Sequence, residues 1–475
     1  MHPGEDAQLH PLWSLREEVL VEVDPDGGAV TVCSSWDETE LGAVSPTVLS
    51  LLQRMTLGPV SLENVLPNDG ERTEIAEVLH RLGGCVVASL GVRHTNELVL
   101  DAVPIERQAE FRPRSVGPAD VLRLSRFAAT RSGGNELWLE SPLSGYRVVA
   151  HQPQVAAMVS ALALPTTIPQ LAAQLVVAEP VADSVVSYLL GTGILLVADG
   201  DKASGPTFAE DRDPRLAAWT HHELMFHGRN RLGRQDAPTG IGARYRGLVP
   251  PPPVVKPVPD GPRFPLEQPS TDELVATDRT VTEVLEARPV PPAEPRPLTV
   301  GQIGELLYRT ARVRSVSKAP AEEGGLEISD RPYPSVDGLY ELEIYVVTDA
   351  CAGLPTGVFH YDPLGHALTL VNPSAAEVGD LLDEAQVALG PAGRPLVMLA
   401  ITSRTSRLNR KYCGVAYTTT LRNTGVLQAT LGVVAEAMGL TATATALGVG
   451  GLTSRLLQLD WPAEVDVGEV ALSST

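Results

Sequence analysis

Short runs near the start of the chain alternate apolar and polar positions with a period of two. Glu18-Val19-Leu20-Val21-Glu22-Val23 and Ala29-Val30-Thr31-Val32 flank the turn residues Asp26-Gly27-Gly28, the pattern of a β-hairpin. The period lengthens to that of a helix after Ser45, an N-cap followed by Pro46, with Leu49, Leu52 and Met55 on one face. A second helix, Glu71 to Leu82, ends at Gly83-Gly84 and feeds Cys85-Val86-Val87. The same order returns later. Glu136 to Glu140 and Tyr146 to Val149 form a hairpin around Ser144-Gly145, and helices follow around Val155–Leu162, Ile168–Leu175 and Val181–Leu190. Gly191 then leads into Ile194 to Val197. Leu82-Gly83 and Leu190-Gly191 stand 108 residues apart, so the unit is used twice. Hairpin, helices and closing strand predict two winged-helix-like modules, over 1–105 and 106–210.

Val249 to Pro265 is dense in proline and predicts a stiff extended linker, with residues 211–270 as connecting segment. Beyond it the pattern is α+β. Leu298 to Arg312 reads as a helix capped by Thr299, and Tyr340 to Val347 as an alternating strand. Val358 to Tyr361 and Ala367 to Val371 form a hairpin closed by Leu364-Gly365. Ala375 to Leu389 is a helix and Leu396 to Thr402 a buried strand. Leu427, Leu431, Val434 and Met438 mark one face of a long helix ended by Gly439. Gly448, Gly450 and Gly451 are expected to end a strand.

At 475 residues the chain has room for two or three domains, and 43% hydrophobic with 20% charged residues is an ordinary globular balance. A net charge of −21 opposes nucleic-acid binding, which needs a basic face. No apolar run is long enough to span a membrane, and no basic-then-apolar signal opens the chain, which predicts a cytoplasmic protein. Cys33, Cys85, Cys351 and Cys413 lack the spacing of a zinc site or disulfide framework. His221, His222 and His227 with Glu223 have His-Glu-x-x-x-His spacing, one residue too long for two zinc ligands on one helix face, so no metal is expected.

Lysine is nearly absent: Lys202, Lys256, Lys318 and Lys411 stand against 33 arginines. Arginine keeps its proton in a protein, whereas a partly buried lysine can be tuned to release it. Lys411 beside Tyr412 is therefore a candidate proton-transfer pair, weighed against a solvated loop charge.

Three segments together resemble the SagB-type dehydrogenases of the nitroreductase superfamily, flavin enzymes that oxidise thiazoline and oxazoline rings in ribosomal peptides. They are Phe226-His227-Gly228-Arg229-Asn230-Arg231-Leu232-Gly233-Arg234; Arg331 to Tyr345, with the Gly-Val-Phe-His-Tyr-Asp-Pro run at 357–363; and Lys411 to Tyr417, followed by Gln428 and Ala435 to Leu440. The resemblance spans roughly residues 210–475 and implies a nitroreductase-like FMN domain, over 271–475, behind the tandem winged-helix-like modules. It implies Lys411 and Tyr412 as catalytic residues, with Tyr412 or Lys411 as base, and Arg288, Pro334, Ser335, Gln428 and Gly448 as FMN contacts. Ser335 would approach the flavin pyrimidine edge and Arg288 the phosphate. It further implies a homodimer, a precursor peptide substrate and a cyclodehydratase partner.

The sequence departs from the family at two places. Arg288-Pro289-Val290-Pro291-Pro292 keeps only the first arginine of an Arg-Arg-Ser-x-Arg phosphate loop, which implies either a reduced affinity for FMN or substitution by other residues such as Arg422 or Arg455. Val336 and Asp337 replace two glycines of the Pro-Ser-Gly-Gly run. The resulting expectation is an FMN-dependent azoline dehydrogenase. Its alternatives are a non-catalytic peptide-binding or assembly scaffold on a decayed flavin fold, and a nitroreductase-like enzyme for small quinones or nitro compounds.

Overall fold

The two hydrophobic patterns separate near residue 238, and the chain divides into two compact units, Met1–Pro238 and Thr239–Thr475. The computed structural model describes residues 8–25, 28–62, 69–199, 205–231, 234, 250–287, 297–320, 325–390, 393–412, 414–445 and 450–474.

In the first unit the expected hairpin forms, Leu20–Val23 pairing antiparallel with Ala29–Cys33, and Glu38–Ala43 adds a third strand. Helices Pro46–Met55 and Asp69–Leu82 bury Val48, Leu51, Leu52, Met55, Ile75 and Val78 with it. Ser45 caps the first helix through its side chain, and Pro46 occupies its first turn, where no N–H is needed. The second hairpin, Glu136–Glu140 with Tyr146–Ala150, also forms. It belongs to a six-stranded antiparallel sheet in the order Leu9–Leu15, Val86–Val92, Leu98–Pro104, Tyr146–Ala150, Glu136–Glu140, Ala129–Gly133. Strand Leu98–Pro104 thus joins both halves of the repeat in one sheet. Helices Pro153–Ala161, Ile168–Leu175 and Glu179–Gly191 cover its apolar residues. The closing strands differ: Val86–Val92 enters the large sheet, whereas Leu195–Val197 pairs with Leu122–Leu124. Beyond them lies helix His221–Arg229, where Arg229 reaches Glu140 at 3.1 Å and Arg234 reaches Glu106 and the Pro142 carbonyl.

The second unit is built on a seven-stranded antiparallel sheet: Arg263–Pro265, Ala367–Asn372, Gly357–Asp362, Leu342–Thr348, Val397–Arg404, Glu464–Ser474, Leu440–Ala444. On one face, Leu342, Ile344 and Val346 pack with Ile303, Leu306 and Leu307 of helix Val300–Ala311 and with Leu427 and Leu431 of helix Ala416–Ala437. On the other, Tyr345 and Val347 pack with Val378, Leu381 and Leu382 of helix Ala375–Leu389 and Leu456 of helix Gly450–Leu456. The strand expected over Tyr340 to Val347 forms as Leu342–Thr348. Every residue of it is buried, and its polar positions are paired internally.

Two expectations need correction. The proline-rich segment is not a free linker from Pro250 onward. A run of prolines offers carbonyls but few N–H groups, and arginines of the second unit supply the donors. Arg404 donates to the Pro253 and Val254 carbonyls, Arg407 to that of Pro252, and Arg331 to that of Val254. Phe264 continues into the sheet edge opposite Leu368. Gly450 and Gly451 open a helix rather than ending a strand; Gly448 lies outside the described residues.

Candidate functional site

The segment from Arg331 to Tyr340 crosses the end of the central strand as a tight loop. Tyr333 and Tyr340 are buried and meet edge to face at 5.0 Å. The Tyr340 hydroxyl donates to the Tyr333 carbonyl at 2.8 Å, fixing the loop from beneath. Arg407, almost fully buried, donates to the Leu339 and Glu327 carbonyls, and burial pulls its guanidinium down to about 10. Above this base Pro334 and Val336 are exposed and Ser335 half-buried.

The replaced glycines acquire a physical meaning here. Asp337 takes φ +53° and Gly338 φ +64°, consecutive left-handed residues in a single 3-10 turn. A Cβ at position 338 would come within 3.2 Å of the Ser329 carbonyl oxygen, so a side chain there would be both crowded and strained. Aspartate is among the few side chains that tolerate the left-handed region.

Lys411 and Tyr412 follow the short helix Ser406–Asn409, and both backbone N–H groups bond to the Leu408 carbonyl, at 3.0 and 2.8 Å. Gly414 at φ +86° then turns the chain into helix Ala416–Ala437. The Lys411 Nζ lies 2.7 Å from Asp337 Oδ2, and the Tyr412 hydroxyl donates to that same oxygen. The Lys411 side chain is 20% exposed and that of Asp337 41%, so the cluster faces outward. Hydrogen bonds from Lys411 and then Tyr412 hold the Asp337 carboxyl below its ordinary range.

The loop is tied a second time to the long helix. Asn423 donates to Ser335 Oγ at 3.2 Å and to both oxygens of Glu341, at 2.9 and 3.3 Å. Glu341 is wholly buried; burial pushes its carboxyl up, and the Asn423 amide offsets part of that rise. Ser335, Lys411 and Tyr412 are therefore brought to one end of the long helix. Gln428, on the same helix, donates its amide to the Glu469 carbonyl at 3.3 Å. Arg288, Gly448 and Cys413 lie outside the described residues. Arg422 and Arg455 are exposed.

The donors present suit the edge of a flavin. Ser335 offers a hydroxyl beside the strained backbone of the turn. The Thr418 hydroxyl oxygen, in the first turn of the long helix, is buried with no hydrogen-bond partner among the described residues. Sequence reasoning missed Asp337, Asn423 and Glu341 as site residues. Asp337 was visible only as a departure from glycine, and nothing in the spacing of the other two sets them apart.

Residues 122–236 match the family model of the cyanobactin oxidase ThcOx, a stretch that contains the Phe226 to Arg234 motif. The match covers about a quarter of the chain and makes that stretch similar to a cyanobactin oxidase. Solved structures similar to this chain include a protein assigned as a nitroreductase from Anabaena variabilis, at 17% identity and TM-score 0.36, over 52% of this chain and 45% of that one. Another, assigned as a nitroreductase from Ralstonia eutropha, shows 18% identity and TM-score 0.35, over 48% of this chain and 99% of that one. The Escherichia coli microcin synthetase McbBCD with truncated pro-MccB17 bound matches at 20% identity and TM-score 0.32, over 41% and 72%. The chain thus spans less than half the length of the Anabaena protein. No curated protein matches it. Among the described residues no helix is long and apolar enough to cross a membrane, and no acidic, histidine and cysteine side chains group as a metal site.

Proposed function

We propose that the protein is an FMN-dependent dehydrogenase that oxidises peptide-borne azolines to azoles in the biosynthesis of a ribosomal peptide natural product. The observation that carries this reading is the meeting of Lys411 and Tyr412 on one outward-facing carboxylate, beside the Ser335 turn. Aromatising an azoline removes one proton and one hydride from neighbouring ring carbons. FMN supplies the hydride acceptor when bound. Ser335 would hold its pyrimidine edge, with Pro334 walling the loop and Arg288 and Gly448 serving the phosphate; Gln428 lies further along the long helix. The chain's own residues orient the ring and manage its proton. Tyr412 and Lys411 supply the groups that accept that proton and offset charge on the ring nitrogen.

The match to a cyanobactin oxidase model supports a peptide substrate, and the pro-peptide complex of microcin synthetase suggests a cyclodehydratase as working partner in the cytoplasm. The order of hairpin and helices in residues 1–105 and 106–210 supports reading them as winged-helix-like modules for peptide contact. A homodimer is supported by Tyr417, Leu421, Val426 and Val433, exposed apolar residues along the long helix.

The first test is the visible spectrum of the purified protein, before and after incubation with FMN, followed by turnover of an azoline-bearing peptide. About one FMN per chain and azole formation are expected. Lys411→Met and Tyr412→Phe should keep the flavin and the fold while lowering kcat by about 100-fold or more. Absence of flavin after reconstitution would favour the peptide-binding scaffold, and undiminished azole formation by both variants would remove the pair from the chemistry.

A further inference from the structure

Helix Ala416–Ala437 sends a buried polar side chain to the loop that carries Ser335. Asn423 is 3% exposed, and its amide nitrogen meets Ser335 Oγ at 3.2 Å and the two Glu341 oxygens at 2.9 and 3.3 Å. A carboxylate offers acceptors alone, so Glu341 draws the nitrogen end of the amide inward and fixes which end faces the serine. The N–H groups are then divided, one serving the wholly buried carboxylate and the other donating to Ser335. Ser335 therefore accepts on its inner side, and among the described residues its own hydroxyl proton meets no acceptor. Pro334 and Val336 bring no side-chain acceptor, and the Asp337 carboxyl is turned to Lys411 and Tyr412. Ser335 is half-buried, so the proton is offered at the surface of the loop.

We propose that Asn423 is a positioning residue that makes Ser335 a hydrogen-bond donor to a carbonyl oxygen of the FMN pyrimidine ring. This rests on the reading of Ser335 as a contact of that ring. A serine hydroxyl can donate or accept, and the pyrimidine edge carries both carbonyl oxygens and an N–H, so the hydroxyl alone leaves the contact ambiguous. A buried carboxylate left unsatisfied close by would claim the serine proton, because a charge-assisted bond is about twice as strong as a neutral one. Asn423 stands between the two and gives Glu341 its donor. The serine keeps its proton for the ligand. Asn423 acts here only through Ser335, and Glu341 competes only when Asn423 is removed.

The test is a double-mutant cycle on FMN affinity, read by quenching of flavin fluorescence as apoprotein is added, with circular dichroism checking the fold of each variant. Ser335→Ala should weaken FMN binding about tenfold, as for the loss of one hydrogen bond. Asn423→Ala leaves room for a water that links Ser335 to Glu341, so it should weaken binding to a similar extent. Adding Ser335→Ala to it should then change affinity by less than about twofold. Asn423→Ser, whose hydroxyl donates to Glu341 and accepts from Ser335, keeps the buried charge partnered should the alanine variant unfold, and carries the same expectation. Removing the competing carboxylate in Asn423→Ala/Glu341→Met should return affinity to within about threefold of the wild type, because nothing is left to take the proton. A side chain that merely propped the loop would give additive losses and no rescue. The infrared carbonyl stretch of bound FMN should rise in Ser335→Ala and Asn423→Ala alike, and return in the rescued variant. Unchanged affinity in Ser335→Ala, or equal losses from it with and without Asn423, would overturn the proposal. A wild-type protein that shows the coupling yet leaves azolines untouched would defeat the azoline reading alone; one that takes up no FMN would remove both.

Discussion

Glu343 carries the heaviest electrostatic burden of any described residue in the central strand. Its side chain is 1% exposed, with Arg404 Nε 2.7 Å from Oε1 and His360 Nε2 3.2 Å from Oε2. Burial alone would raise its carboxyl, but Arg404 and His360 pull it down to about 2. A carboxylate depressed in the folded state contributes stability that is complete above its unfolded value, 4.5, and is lost as pH falls toward 2. Glu343→Gln also leaves Arg404 buried and uncompensated, so a loss of about 3 kcal/mol is expected near neutrality. Denaturant titrations across pH should find the gap between variant and wild type narrowing from about pH 5 downward; a constant gap would refute this account. The positions that meet at the candidate site were partly legible beforehand. The scarcity of lysine singled out Lys411, and a neighbouring phenol made the two a candidate pair. Asp337, Asn423 and Glu341 could not be found that way, because their meaning lies in partners 75 to 88 residues away.

The helices owe their bounds to local signals. Thr299 accepts from the Gln302 N–H at 3.2 Å, while the Gln302 side chain accepts from the Thr299 N–H at 2.9 Å, a complete capping box at the start of Val300–Ala311. This helix buries Ile303, Leu306 and Leu307 against the central sheet. Thr299→Ala should therefore cost about 1 kcal/mol, read as a shift in the denaturant midpoint without change in slope. Caps and periodicity also located Pro46–Met55, Ile168–Leu175 and Ala375–Leu389 from sequence. Strand Leu342–Thr348 was found but its environment was not. Alternation is normally a sign of one wet face, and here the polar positions turn inward to Arg404, His360 and Glu464. The glycines at 450 and 451 misled for a related reason: glycine marks a break in the chain without saying which element follows.

At the scale of the molecule, the helix Ala416–Ala437 has one face in the core and another exposing Tyr417, Leu421, Val426 and Val433, with Gly425 and Gly432 leaving open space between them. Apolar side chains left in water along several turns gain most by meeting a second copy of the same face. The proposed homodimer makes a direct prediction. Leu421→Glu, at a residue 38% exposed in the single chain, should shift sedimentation velocity from dimer to monomer at micromolar protein while sparing the fold. A wild-type protein that sediments as a monomer at any attainable concentration would withdraw the dimer. The proline-rich segment gives the same lesson at this scale. Its stiffness was legible, but its role was set by Arg331, Arg404 and Arg407, whose guanidinium groups satisfy carbonyls that prolines cannot pair among themselves.

By itself the sequence determined what depends on near neighbours: the caps and lengths of the helices, the hairpins, the doubled order of elements, and the adjacency of Lys411 and Tyr412. Each rests on interactions within a few residues, where spacing alone fixes geometry. The tertiary structure decided what depends on distant partners. It joined the two halves of the repeat through one sheet, buried the polar face of the central strand, and stitched the prolines to the second unit. It also placed Asp337 over the Lys411–Tyr412 pair. Those outcomes follow from which charges and carbonyls must be satisfied once the core has closed, and no local pattern records that.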